Sequence, residues 1–90
     1  MNWYILQSEG MFDLNEIVDY DAIFLYLCMD NLEKAIIVYK NLVRLDGDYI
    51  TIPYLKEIVI YEVFETEDES KLKINKIYNK DFLDKMVNIT

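Results

Sequence analysis

Three features of the chain predict an α+β fold: an antiparallel-rich sheet of about four strands, one main helix on a face, and a short C-terminal helix. Two β-rich runs, Glu57 to Glu65 and Lys71 to Tyr78, are joined by the five polar residues Thr66-Glu67-Asp68-Glu69-Ser70, a connection of hairpin length. Between Asp30 and Arg44 the apolar residues recur with helical spacing. Composition is 53 % hydrophobic with only two glycines and one proline, which suits a packed domain and opposes a disordered acidic chain. Ninety residues make one domain, 1–90, with a small core.

The elements follow in order. Trp3 to Leu6 reads as a first strand, with Gly10 in the turn after it. Met11 to Tyr20 is mixed and acidic, either a long loop or a short helix capped by Asp13 over Leu14 to Val18. Ala22 to Met29 is continuously apolar and rich in branched and aromatic residues, as in a buried central strand; a buried helix, even one merged with the segment to Arg44, is the alternative. The Asp30-Asn31 pair favours a break. Asp30 is positioned to accept from the Glu33 backbone N–H while Glu33 reaches back, an Asp version of the capping box. Over 30–44, Leu32, Ala35, Ile36, Tyr39 and Val43 share one face, and Glu33, Lys40, Asn41 and Arg44 the other. Gly47 suits the C-terminal cap, and Arg44 the negative end of the helix dipole.

Tyr49 to Ile52 reads as a short extended piece that Pro53 keeps out of a central strand. From Glu57 to Glu65, Ile58, Ile60 and Phe64 point one way and Val59, Tyr61 and Val63 the other, so an interior strand is expected. In the last strand Leu72 and Ile74 face in, while Lys71, Lys73 and Asn75 face out, a pattern suited to a sheet edge. Asp81 to Ile89 reads as the terminal helix, burying Phe82, Leu83 and Met86. A single main helix would leave one sheet face for the terminal helix or a second copy to cover, so a homodimer is one expectation.

Several chemistries are excluded or disfavoured. There is no histidine, which removes the commonest general base and zinc ligand. Ser8 and Ser70 each adjoin a glutamate, and no glycine-rich loop exists to cradle phosphate. Cys28 sits among apolar neighbours without a cation, as a small buried hydrophobe does. Asp19 with Asp21, and the Glu67 to Glu69 cluster, lack the spacing of a calcium loop and read as solvated turns. The expectation is a non-enzyme with neither catalytic nor metal residues and no cofactor. No basic leader precedes the first apolar run, and the longest apolar run, Ala22 to Met29, has eight residues, far short of a membrane span. A cytoplasmic protein is expected, with no membrane and no direct nucleic-acid contact.

Charge is the informative property. The net charge is −8, and it is segregated. The first thirty-three residues hold seven carboxylates and no base; Glu57 to Glu69 hold six and again no base. Lysine and arginine are confined to 34–56 and 70–90. Segregated charge describes a surface, and an acidic surface fits a basic one. The expected partner-binding residues are Glu16, Asp19, Tyr20, Asp21, Glu65, Glu67, Asp68 and Glu69. Tyr20 between two aspartates is the most interface-like triplet, since tyrosine covers apolar area and keeps a wet hydroxyl. The alternative is a self-assembling module that binds a small ligand or acts as a structural accessory.

In size, acidity, tyrosine content and lack of histidine, the whole chain resembles the small acidic inhibitors that phages direct against host defence, anti-CRISPR proteins among them. That resemblance implies docking on a nuclease or other nucleic-acid-binding effector, with carboxylates standing where phosphates would.

Overall fold

The computed structural model describes residues 2–23, 25–48, 51, 52 and 54–88. Its centre is an antiparallel five-stranded sheet in the order β2-β5-β4-β1-β3, formed by β1 (Asn2–Ser8), β2 (Ile17–Asp19), β3 (Leu27–Met29), β4 (Ile58–Glu65) and β5 (Lys71–Tyr78). The helices are α1 (Tyr20–Ile23), α2 (Leu32–Leu45) and α3 (Lys80–Asn88), and a single 3-10 turn, Leu55–Glu57, leads into β4. The α+β class, the main helix and the short C-terminal helix are as the sequence predicts.

β4 is interior because it is apolar on both faces. Val59, Tyr61 and Val63 join Ile5, Ile23, Leu72 and Ile74 in one cluster; Ile60 joins Leu6, Ala35, Tyr39, Leu55 and Leu83 in the other. Helices α2 and α3 cover the second cluster, with Leu32, Ile36, Val43 and Phe82 packed around it. The first cluster is covered by the chain between β1 and β3, which supplies Phe12, Val18, Tyr20, Ile23 and Tyr26. Phe12 stands edge-on to Tyr61 and Tyr26, with centroids 5.2 and 6.1 Å apart. The second face is therefore filled by the chain itself, and the bare face that motivated a homodimer is not there.

Three expectations are corrected. Ala22 to Met29 is not a central strand. It divides into the end of α1 and the short edge strand β3, with Phe24 outside the described residues. The run is apolar because Ile23, Tyr26 and Cys28 pack on the first cluster, while Leu25 remains 80 % exposed. The acidic stretch after Gly10 forms turns and then β2, which pairs with β5 at 71–73, so β5 is not the sheet edge. The helix cap lies one residue beyond Asp30: Asn31 Oδ1 accepts from the Lys34 N–H at 2.8 Å. Asp30 instead pairs with Lys34 one turn on, at 2.9 Å, and that contact holds its carboxyl below the usual carboxylate range. Both residues suit a cap, and Asn31, with an extended backbone, is the one whose side chain meets the first turn. Gly47, with φ +85°, turns the chain after α2. Of the expected short extended piece, Tyr49 and Ile50 lie outside the described residues, as does Pro53.

Two stability measurements check this packing. Ile60→Ala, at a site 0 % exposed, should cost about 2–5 kcal/mol in denaturant unfolding. Asn31→Ala should cost about 1 kcal/mol, and Asp30→Ala should cost less and lose its effect at high salt.

Candidate functional site

Some acidic residues of the two distant blocks, Asp19 and Asp21 from the first and Glu65 to Glu69 from the second, meet at one end of the sheet. The cause is the β2–β5 ladder. It sets Asp19 opposite Lys71 and Val18 opposite Leu72, and the Tyr20 N–H donates to the Ser70 carbonyl at 2.8 Å. The chain entering α1 thus lies against the β4–β5 hairpin. Tyr20, Glu65, Thr66, Asp68, Glu69 and Lys71 line a shared concavity of about 310 Å³.

The hairpin is held by short-range bonds. Asp68 Oδ1 accepts from the Ser70 N–H at 2.9 Å and from its hydroxyl at 2.7 Å, and the Thr66 hydroxyl donates to the carbonyls of Asp68 and Lys71 at 2.9 and 3.0 Å. The Ser70 contacts hold the Asp68 carboxyl below the usual range. Lys71 Nζ binds Asp19, which raises the lysine above its ordinary value.

Among the expected contact residues, Tyr20, Glu65, Asp68 and Glu69 line the concavity itself. Asp19 joins it through Lys71, and Asp21 follows in the first turn of α1. Glu67 is exposed on the hairpin connection but does not line the concavity. Glu16 stands apart, farther along the β2 edge, where its side chain accepts from the Asp13 N–H at 3.0 Å and its carbonyl from the Ile74 N–H at 2.8 Å. Lys71 was not among the expected site residues, although its place in an alternating lysine pattern was visible. It makes the site an acidic rim around one engaged base. Among the described residues no three aspartate, glutamate or cysteine side chains are grouped to hold a metal ion.

A second polar cluster escaped the sequence reading. Glu62, on the helix-covered face of β4, is only 8 % exposed. Asn75 Nδ2 donates to its Oε1 at 2.7 Å, and the Tyr78 hydroxyl lies 3.4 Å from Oε2. A register shift in the β4–β5 ladder falls between Glu62 and Val63 and opposes Glu62 to Lys76 and Val63 to Ile74, so Asn75 is the extra residue. The available signal was Glu62's place inside a strand apolar on both faces. Burial, and then the neighbouring Glu62, raise the Tyr4 and Tyr78 hydroxyls above their usual range; burial raises Tyr61, whose hydroxyl donates to the Ser8 carbonyl at 2.6 Å. Burial likewise raises the Cys28 thiol.

A scan against protein-family models, a search of curated proteins and a search of solved structures each return no match. No helix among the described residues is long and apolar enough to cross a membrane.

The tyrosines generate a pH prediction. Their folded pKa values lie above the ordinary 10.0, so the folded state keeps protons that the unfolded chain releases. Their contribution to stability is complete below about pH 10 and is lost as pH rises through the folded values. In an NMR titration of the tyrosine ring carbons, Glu62→Gln should lower the titration points of Tyr4 and Tyr78 and leave Tyr61 in place.

Proposed function

We propose that this domain is a non-catalytic interaction module that docks its acidic sheet end on a basic surface of a partner protein. The observation that supports this reading most is the convergence just described. Asp19 and Asp21 from one basefree block meet Glu65, Glu67, Asp68 and Glu69 from the other, with Tyr20 between them. Lys71 pairs with Asp19, and Lys73, opposite Ile17, stands at the border. Gathering like charges costs little at a wet surface but raises the local field, which steers a cationic partner and favours its release at high salt. The half-buried Tyr20 supplies the apolar anchor that charge alone lacks.

The partner class that fits is a protein whose basic groove binds nucleic acid, a nuclease effector among the candidates. Carboxylates at the end of a sheet then occupy phosphate positions, and the outcome is competitive inhibition. The protein acts in this reading without a cofactor and without touching nucleic acid or membrane.

The test is capture from a bacterial lysate on the immobilised domain, with salt-step elution and competition by duplex DNA. A nucleic-acid-binding protein should elute at moderate salt and be displaced by DNA. Reversal of Asp21, Glu67 and Glu69 to lysine should abolish that capture with the unfolding midpoint nearly unchanged, since these side chains are exposed. Asp19 is spared because its reversal would oppose a lysine to Lys71 across the ladder. Capture that survives the triple reversal would reduce the acidic end to a solubility feature.

A further inference from the structure

At the other end of β4 from the acidic hairpin, α2, the 3-10 turn and α3 enclose a groove of about 320 Å³. Val43, Leu55 and Val87 form its apolar walls, and Lys56 and Lys80 contribute two basic side chains to its lining. Asp84, one turn along α3 from Lys80, lies on its rim.

Lys80 is held in an unusual way. Its Nζ donates to the Tyr39 hydroxyl at 2.6 Å, reaches the Leu55 carbonyl at 3.4 Å and stands 5.0 Å from the centre of the Tyr39 ring. Tyr39 is 2 % exposed, so the lysine is drawn down onto the floor of the groove. All these partners are neutral, and Lys80 takes part in no ion pair among the described residues. The Leu55 carbonyl is presented by a costly backbone. Tyr54, just before the turn, has φ +61°, a left-handed conformation rare for an aromatic residue. The first turn of α3, capped where Asn79 Oδ1 accepts from the Phe82 N–H at 3.1 Å, adds its positive dipole end beside Lys80. Asp84 in this groove and Glu9 and Asp81 on the neighbouring surface stand near Lys80 without pairing with it, so its direct partners are all neutral and a carboxylate that binds the ammonium itself gains a charge-assisted hydrogen bond.

We propose that this groove binds an amphipathic carboxylate, such as an acyl or aryl acid. The carboxylate sits on Lys80 and Lys56, and the hydrocarbon lies along Val43, Leu55 and Val87. The volume suits a small molecule. A second copy's acidic hairpin is a poorer occupant, because Thr66 to Ser70 has no large apolar side chain to place on those walls. The site is independent of the acidic docking end.

The test is a ¹H–¹⁵N NMR titration of the intact domain with sodium octanoate, with octanol and octylamine as controls. Octanoate should shift the amides of Leu55, Lys56 and Lys80 to Val87, and neither control should reproduce the shifts. Lys80→Met keeps the stem over Tyr39 and should weaken octanoate binding about tenfold or more, the loss expected for a charge-assisted hydrogen bond. Asp84→Asn removes the repulsive rim charge and should tighten binding severalfold. The proposal is overturned by equal binding to Lys80→Met, by equal binding of octylamine, or by the absence of shifts at millimolar octanoate with the amide spectrum otherwise folded.

Discussion

Val59, Ile60, Tyr61 and Val63 are all 0 % exposed, so one strand of this small domain has to be covered on both faces at once. Neighbouring strands satisfy its backbone through the β1–β4 and β4–β5 ladders, and two separate layers satisfy its side chains. Helices α2 and α3 form one layer. The other is an irregular segment between β1 and β3 that contributes aromatic rings instead of a long helix. That segment carries all five acidic residues before Asp30, and all five are exposed, turned away from the rings that fill the core. Core and acidic surface are in this sense two sides of the same stretch of chain.

The same constraint places the candidate docking end. Anchoring Val18 and Tyr20 on the first cluster brings β2 alongside β5, and the ladder then fixes Asp19 against Lys71. The hairpin loop projects beside it, ordered by Asp68, Ser70 and Thr66. Parts of two acidic blocks separated by residues 34–56 become one surface because apolar residues beside them share a core. The groove at the opposite end has a different origin. There the entry to β4 and the start of α3 meet beneath α2, and a lysine satisfies a buried tyrosine hydroxyl. A negatively charged end and a locally basic groove therefore coexist in a chain whose net charge is −8.

Much of this is legible in the sequence. Alternation in Ile58 to Phe64 and in Leu72 to Ile74 marks residues whose environments differ only by face, and the period-2 geometry of a strand leaves little choice. The periodicity of Leu32, Ala35, Ile36, Tyr39 and Val43 identifies the helix for the same reason. Ala22 to Met29 is not a central strand because an apolar run does not fix conformation: a helical turn, a bend and an edge strand share its composition here, with Ile23, Tyr26 and Cys28 on one cluster, Met29 on the other and Leu25 and Leu27 exposed. Periodicity cannot choose between Asp30 and Asn31, because adjacent Asp and Asn are both good caps; in the fold Asn31 meets the first-turn N–H and Asp30 meets the Lys34 ammonium. The Glu62 cluster is not legible in the sequence, because strand alternation assigns a face but cannot say that Asn75 and Tyr78 close over it.

By itself the sequence determined the fold class, the interior strand, the main helix and which residues carry the acidic surface, because each depends on local periodicity or on charge. Only the tertiary structure decided that the second sheet face is covered by the chain's own irregular segment, that β2 lies outside β5, and that Glu16 stands apart from the acidic cluster it was grouped with. It also decided where Lys71 and Lys80 direct their charge. Those outcomes rest on contacts between residues far apart in the chain, whose energies depend on which surfaces meet and leave no periodic trace in the sequence.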